Sequence, residues 1–147
     1  MTQTKFLITG ATGATGGDAA RQLLEKQHAL RVLAHRPDER SEQLRKLGAE
    51  VVFGDFLDFD SVRAALNGVQ RAYFCYPISP GLVQATAQLA QAAKEVGVEV
   101  IVNMSMKSAR SDATSKAARQ HWLSERVFDW SGVPAGQIGV TCIYKEP

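Results

Sequence analysis

The chain has 147 residues, of which 45% are hydrophobic and 22% are charged, and its net charge at pH 7 is +2. These values are ordinary for a globular domain with one hydrophobic core. No basic stripe favours a nucleic-acid partner, and no apolar run is long enough to span a membrane. The sequence enters a strand pattern at residue 5 without a signal-peptide layout, so the expected location is the cytoplasm.

Short apolar runs alternate with segments of helical periodicity, and glycine ends most of them. Five strands are predicted, at residues 6–9, 30–34, 50–53, 71–75 and 99–104. Five helices are predicted, at residues 16–26, 39–47, 60–66, 82–96 and 114–130. The alternation predicts a doubly wound parallel α/β sheet of strand order 3-2-1-4-5, with helices on both faces. Residues 137–143 also alternate in a way that is compatible with a sixth strand.

The two cysteines, Cys75 and Cys142, lie in apolar runs with neither a C-x-x-C spacing nor a histidine cluster. This pattern is typical of buried free thiols in a reducing compartment. We therefore predict no metal site.

Three glycines follow the first strand with the spacing G-x-x-G-x-x-G and precede a helix. Glycine permits a tight turn, leaves the backbone open to a pyrophosphate and lets the helix pack closely on the strand. The helix would direct free N–H groups and the positive end of its dipole at the anion. The sequence therefore predicts a dinucleotide phosphate site at Gly10, Ala11, Thr12, Gly13, Ala14, Thr15 and Gly16.

The run Ile8-Thr9-Gly10-Ala11-Thr12-Gly13, followed by Gly16, resembles the NmrA-like family of atypical short-chain dehydrogenase/reductases. Residues 54–55, 64–69, 92–98 and 131–133, with His121 and Glu125, extend the resemblance over residues 5–134. The resemblance implies an NAD(P)-binding Rossmann fold and points to the branch that includes NADPH-dependent quinone reductases. It also implies that the adenine lies against the residues after the third strand, Asp55 and Phe56.

The end of the second strand bears on the choice of dinucleotide. An acid there would accept hydrogen bonds from a free ribose 2′-OH, but residues 34–37 contain no acid, and the first acid after the strand is Asp38. Arg36 could pair with a 2′-phosphate, or could be only a solvated residue that precedes a helix. The resemblance implies an arginine one place earlier, at His35, so either residue is a candidate. We expect NADP(H) to be preferred, with NAD(H) as the alternative cofactor.

Catalytic residues are less sharply indicated, because the Tyr-x-x-x-Lys pair of typical short-chain reductases is absent. Ser105 follows the fifth strand, where a catalytic serine is expected, and His121 lies where many relatives carry a lysine. Histidine suits proton transfer, although a plain surface histidine is equally compatible with the pattern. We expect the nicotinamide at the carboxyl ends of strands four and five, beside these residues and beside Tyr76 and Pro77. Residues 76–80 could form a pocket wall, or their prolines could only stiffen a loop.

Two functions remain open from the sequence. The first is an NADPH-dependent oxidoreductase of quinone-reductase type that acts on a small-molecule substrate. The second is a non-catalytic NAD(P)-sensing regulator that acts through a protein partner. His121 and residues 131–133 favour the enzyme.

The C-terminal sequence departs from the family pattern. The resemblance implies an "L-R-P" strand and a further substrate portion after Pro134, and this sequence carries neither. We expect one NAD(P)-binding domain over residues 1–147, no substrate lobe, and a nicotinamide surface that is open to water.

Overall fold

Six parallel strands form one sheet in the order β3-β2-β1-β4-β5-β6. The computed structural model describes residues 3–77 and 79–140. The strands are β1 (Lys5–Thr9), β2 (Ala29–Ala34), β3 (Glu50–Phe53), β4 (Arg71–Phe74), β5 (Val100–Met106) and β6 (Ala135–Val140). The helices are α1 (Ala14–Glu25), α2 (Glu39–Lys46), α3 (Phe59–Leu66), α4 (Leu82–Val96) and α5 (Lys116–Ser131). The predicted doubly wound α/β fold and its strand order are confirmed.

All ten predicted elements are present, and most of their bounds shift by one or two residues. The change at β5 matters for function, because this strand runs to Met106 instead of ending at residue 104. Its last two residues pair with β6, Ser105 with Gly139 and Met106 with Val140, so Ser105 lies inside the strand and not after it. The sixth strand forms at residues 135–140, and residues 141–143 of the predicted segment, with Cys142, lie outside the described residues.

Two separate apolar cores lie on the two faces of the sheet, and successive side chains of β1 enter one and then the other. Leu7 joins the larger core, where Phe74 and Ile101 meet buried side chains of α3, α4 and α5. Its neighbour Ile8 joins the smaller core under α1 and α2. This division follows from the chain path, because right-handed crossovers place helices on opposite faces when the winding direction reverses. The reversal lies between β1 and β4.

Arg31 joins β2, β3 and the end of α3 at the amino edge of the sheet. Its Nε donates to Glu50 at 3.0 Å, and its Nη1 donates to the carbonyl oxygens of Ala65 and Asn67, each at 2.7 Å. The Arg31 side chain is only 11% exposed. These contacts supply acceptors for a largely buried charge and satisfy carbonyl groups at the end of a helix.

Substitution of Arg31 should therefore destabilise the fold. We expect Arg31→Leu to lower the free energy of unfolding by about 2 kcal/mol, because two carbonyl groups lose a charged donor. The control is Arg21→Leu, which removes an exposed ion pair with Asp18 and should cost below about 1 kcal/mol. Urea unfolding followed by circular dichroism measures both changes. Equal losses in the two variants would contradict the assigned role of Arg31.

Candidate dinucleotide site

The glycine turn packs against its surroundings at distances that exclude larger residues. Gly10 has φ +69°, and a Cβ there would lie 3.0 Å from the carbonyl oxygen of Cys75. A Cβ on Gly16 would lie 2.3 Å from the carbonyl oxygen of Gly10, closer than any real contact. The first turn of α1 therefore lies directly against the ends of β1 and β4.

The N-terminus of α1 meets the physical requirements of an anion site. Gly13 is the N-cap and supplies no side-chain cap, and no acidic residue lies in the first turn. Ala14 and Thr15, which open the helix, are both exposed. The first N–H groups of a helix lack intrahelical partners, and here no capping side chain covers them. The turn and helix therefore fit a pyrophosphate bound from the side of the carboxyl edge.

Thr9, which the sequence analysis did not single out, ties the turn to β4. Its hydroxyl accepts a hydrogen bond from the backbone N–H of Cys75 at 2.9 Å and lies 3.2 Å from the Cys75 carbonyl oxygen, to which it can donate. Thr9 is fully buried. The sequence feature that could have pointed to Thr9 is its position as the one polar residue at the end of the apolar run 6–9. The adjacent Cys75 thiol is free but only half-buried, so the prediction of a buried thiol is partly wrong, and burial raises its pKa.

The residues after β2 are exposed, and the one acid among them is already engaged. His35 and Arg36 lie at the surface. The Asp38 carboxylate caps α2 by accepting from the backbone N–H of Ser41 at 2.8 Å, and it also accepts from Arg40 Nη2 at 3.1 Å. The Ser41 hydrogen bond and, after it, the Arg40 guanidinium hold the pKa of Asp38 below its usual range.

The residues predicted to meet the adenine follow β3, next to the end of β2. Asp55 is exposed, and its Oδ1 accepts from the backbone N–H of Leu57 at 2.9 Å. Phe56 is partly buried, and its ring packs edge-to-face on Tyr76 and Phe74 with centroid distances of 5.9 and 6.4 Å. Phe56 therefore supports the loop after β4 in addition to bordering the carboxyl edge.

Ser105 of β5 and His121 of α5 are both buried. Ser105 is 1% exposed, and its hydroxyl donates to Glu125 Oε1 at 2.5 Å. The expectation of a nicotinamide surface open to water is therefore wrong for Ser105. His121 is 8% exposed, so the alternative of a plain surface histidine is also wrong. Both results have one cause, because the face of α5 that carries Ala118 and His121 packs on the sheet.

Glu125, which the sequence analysis named only as part of the family resemblance and to which it gave no role, is a further functional candidate. It follows His121 by one helical turn, and this i,i+4 spacing was the available signal. Burial lowers the pKa of His121, and the charge of Glu125 opposes that shift only in part. His121 Nδ1 has no hydrogen-bond partner among the described residues. Burial therefore favours the neutral form of the imidazole, which holds an unsatisfied nitrogen inside the protein.

A cavity of about 430 Å³ lies between the loop after β4 and the N-terminal half of α5. Its lining is mainly apolar, with three polar side chains from α5. The lining residues are Pro77, Ser79, Pro80, Gly81, Leu82, Lys116, Ala117, Gln120 and His121. Tyr76 shapes the loop, since its hydroxyl donates to the Pro80 carbonyl oxygen at 2.9 Å. The structure thus brings Pro77 and His121 to one cavity, whereas Ser105 is hydrogen-bonded to Glu125 and does not line it.

Neither a metal site nor a membrane-spanning helix occurs among the described residues. In the part of the chain that the structure describes, no three His, Cys, Asp or Glu side chains come together as a metal site. Within residues 3–77 and 79–140, no helix combines the length and the apolar character needed to cross a membrane.

Comparison with characterised proteins places these features in a known context. A "NAD(P)H azoreductase" of Xenophilus azovorans is 31% identical over 120 residues, which are 82% of this chain and 41% of the relative. A "(4-alkanoyl-5-oxo-2,5-dihydrofuran-3-yl)methyl phosphate reductase" of Streptomyces griseus is 34% identical over 132 residues, or 88% of this chain and 44% of the relative. The chain thus spans less than half the length of these two relatives.

Solved structures show the same fold. A triphenylmethane reductase of Citrobacter sp. matches 96% of this chain and 50% of its own length, with a TM-score of 0.80 and 24% identity. An NADPH-dependent quinone oxidoreductase of Escherichia coli, complexed with NADPH, matches 91% and 48%, with a TM-score of 0.79 and 24% identity. The model of the NmrA-like family matches residues 2–126 of this chain. With its glycine turn, strand order and family match in agreement, the chain belongs to the NmrA-like family.

Proposed function

We propose that this chain binds NADP(H), in preference to NAD(H), and forms the dinucleotide-binding unit of an oxidoreductase that reduces a small molecule. The observation that carries the proposal is the uncapped N-terminus of α1, held against the glycine turn by Gly10 and Gly16. The relatives named above as NAD(P)H azoreductase and as NADPH-dependent quinone oxidoreductase support it. A cytoplasmic location and the absence of a nucleic-acid partner remain predictions from the sequence.

In an open parallel sheet a dinucleotide binds along the carboxyl ends of the strands, across the point where the winding reverses. Residues 10–16 would hold its pyrophosphate, and His35, Arg36, Asp55 and Phe56 would hold its adenosine half. Tyr76, Pro77 and the cavity would receive its nicotinamide half. When bound there, the cofactor supplies a hydride, and the protein supplies binding, orientation and exclusion of water.

The cavity beside α5 suits a small, flat, mainly apolar acceptor such as a quinone. Its volume of about 430 Å³ lies in the range of small-molecule sites. The neutral imidazole of His121 can hold an acceptor oxygen by a hydrogen bond from the cavity wall. Ser105 has its hydroxyl engaged by Glu125, so its role is to position α5 on β5 and not to contact the substrate.

Substitution of Gly13 tests the phosphate site. Gly13 has φ −85° and ψ 177°, which valine also adopts. A Cβ there would lie 3.3 Å from the carbonyl oxygen of Gly10, a contact that a shift of a few tenths of an ångström relieves, so Gly13→Val should fold. The added methyl groups would stand beside the N–H groups of Ala14 and Thr15 and block the pyrophosphate. We expect NADPH affinity to fall at least about tenfold, since charge-assisted hydrogen bonds are lost. Isothermal titration measures the affinity and circular dichroism verifies the fold. A folded variant that binds NADPH like the parent would place the site elsewhere.

The pKa of His121 tests whether the cavity holds a neutral imidazole. Because burial disfavours the charged form, the midpoint of its NMR titration should lie below the unperturbed value of about 6.5. The same shift makes native stability depend on pH, with the contribution present above about pH 6.5 and lost as the pH falls toward the folded pKa. His121→Gln should flatten this part of the stability profile. A midpoint at or above about 6.5 would contradict the neutral imidazole.

Single-turnover kinetics test the reductase function. The chain, loaded with NADPH, is mixed with a small quinone in excess, and NADPH fluorescence is followed. We expect oxidation faster than that of free NADPH. His121→Phe replaces the imidazole with an aromatic ring that cannot hydrogen-bond to the acceptor oxygen, and it should slow the oxidation at least about tenfold. The matched control is Gln84→Ala, an exposed residue of α4 outside the cavity lining. Tight NADPH binding with no acceleration would favour the non-catalytic NAD(P)-sensing regulator.

A further inference from the structure

Two guanidinium groups from different helices line one small cavity on the outer side of the glycine turn. The cavity has a volume of about 90 Å³ and is bordered by Ala11, Thr12 and Gly13 of the turn. Its polar side chains beyond the turn are Arg21 of α1 and Arg40 and Gln43 of α2. The sequence analysis assigned neither arginine a role. This volume is far below the roughly 300–1,000 Å³ of pockets that enclose a whole small molecule, so the cavity suits a single group such as a phosphate better than a ring system.

Arg40 is placed at this cavity by two hydrogen bonds. Its Nη2 donates to Asp38 at 3.1 Å, and its Nη1 donates to the carbonyl oxygen of Thr12 at 3.3 Å. The contact with Thr12 is longer than a normal N–H···O hydrogen bond and is easily exchanged for a better acceptor. The Arg40 side chain is 67% exposed, so its other N–H groups remain accessible.

Arg40 also alters what Asp38 can do. A free acid after β2 would favour NAD(H), because it accepts hydrogen bonds from the ribose 2′-OH and repels a 2′-phosphate. In Asp38, however, Oδ1 accepts the hydrogen bond that caps α2, and Oδ2 accepts a hydrogen bond from Arg40. The Arg40 charge offsets the carboxylate charge, so the repulsion of a phosphate at this point is reduced.

We propose that Arg40 is a specificity-determining residue that binds the 2′-phosphate of NADP(H) on the outer side of the glycine turn. The inference rests on the proposed dinucleotide site and adds a second guanidinium to the candidate Arg36. A phosphate oxygen replaces the Thr12 carbonyl as the acceptor of Arg40 Nη1, while Asp38 continues to hold Nη2. Arg21, which pairs with Asp18 at 3.1 Å, lines the same cavity.

The test compares two nucleotides that differ only in the 2′-phosphate, adenosine 2′,5′-bisphosphate and AMP, by isothermal titration. Arg40→Ala should weaken the bisphosphate at least about tenfold, since a charge-assisted contact is lost. It should change AMP affinity by less than about twofold, as expected for an exposed residue outside a contact. NADPH and NADH should show the same contrast. Loss of affinity for all four ligands alike, or for none, would overturn the inference.

Arg45→Ala is the matched control. Arg45 lies on the same helix and carries the same charge, but it pairs with Glu42 and does not line the cavity. Its removal should leave the ratio of the bisphosphate and AMP affinities unchanged. If Arg45→Ala lowered this ratio as much as Arg40→Ala, the effect would be one of net charge and the assigned contact would be wrong.

Asp38→Asn gives an independent result, because asparagine preserves the N-cap of α2. The inference expects NADH affinity to be unchanged within about twofold. A selective loss of NADH binding would show that Asp38 serves the ribose and would overturn it. Selective binding of the bisphosphate through Arg40, without any quinone reduction, would support this inference and refute only the reductase activity. NADPH binding that Arg40→Ala leaves intact would refute this inference and preserve the proposed cofactor.

Discussion

The first helix can begin against the end of β1 only because glycines stand at the points of closest approach. The carbonyl oxygen of Gly10 lies where a side chain at Gly16 would be, at 2.3 Å from its Cβ. On the other side of the turn, Gly10 itself faces the carbonyl oxygen of Cys75. Any larger residue at Gly16 would force α1 away from the sheet. The close approach fixes the helix N-terminus at the carboxyl edge, and the geometry of the proposed phosphate site depends on it.

The reversal of winding between β1 and β4 opens a cleft at this carboxyl edge of the sheet. The chain passes α1 and α2 on one face, and then α3, α4 and α5 on the other. The loops that leave β1 and β4 therefore turn to opposite faces and open a cleft between them. Thr9 holds the two strand ends together beneath the cleft through its hydrogen bonds with Cys75. The glycine turn and the cavity beside α5 lie on the same edge for this reason.

Buried hydrogen bonds fix α5 in a single position on the sheet. Ser105 of β5 donates to Glu125, and the hydroxyl groups of Thr86 and Ser124 join α4 to α5 at 2.8 Å. Polar groups without water must find partners at defined positions, so these bonds specify the helix orientation more narrowly than apolar packing does. Their consequence for function is the placement of His121 in the cavity wall.

The sequence by itself determined the order of the elements, the parallel sheet and the glycine turn. These features depend on local patterns, since strand and helix periodicity and the G-x-x-G-x-x-G spacing are complete within a few residues of one another. The surroundings of Ser105, His121 and Arg40 were decided by tertiary structure. Ser105 became part of β5 through pairing with β6, and its partner Glu125 lies 20 residues away. Arg40 meets Thr12 across 28 residues. Such contacts depend on how distant segments of the chain pack together, and local periodicity does not specify which residues meet.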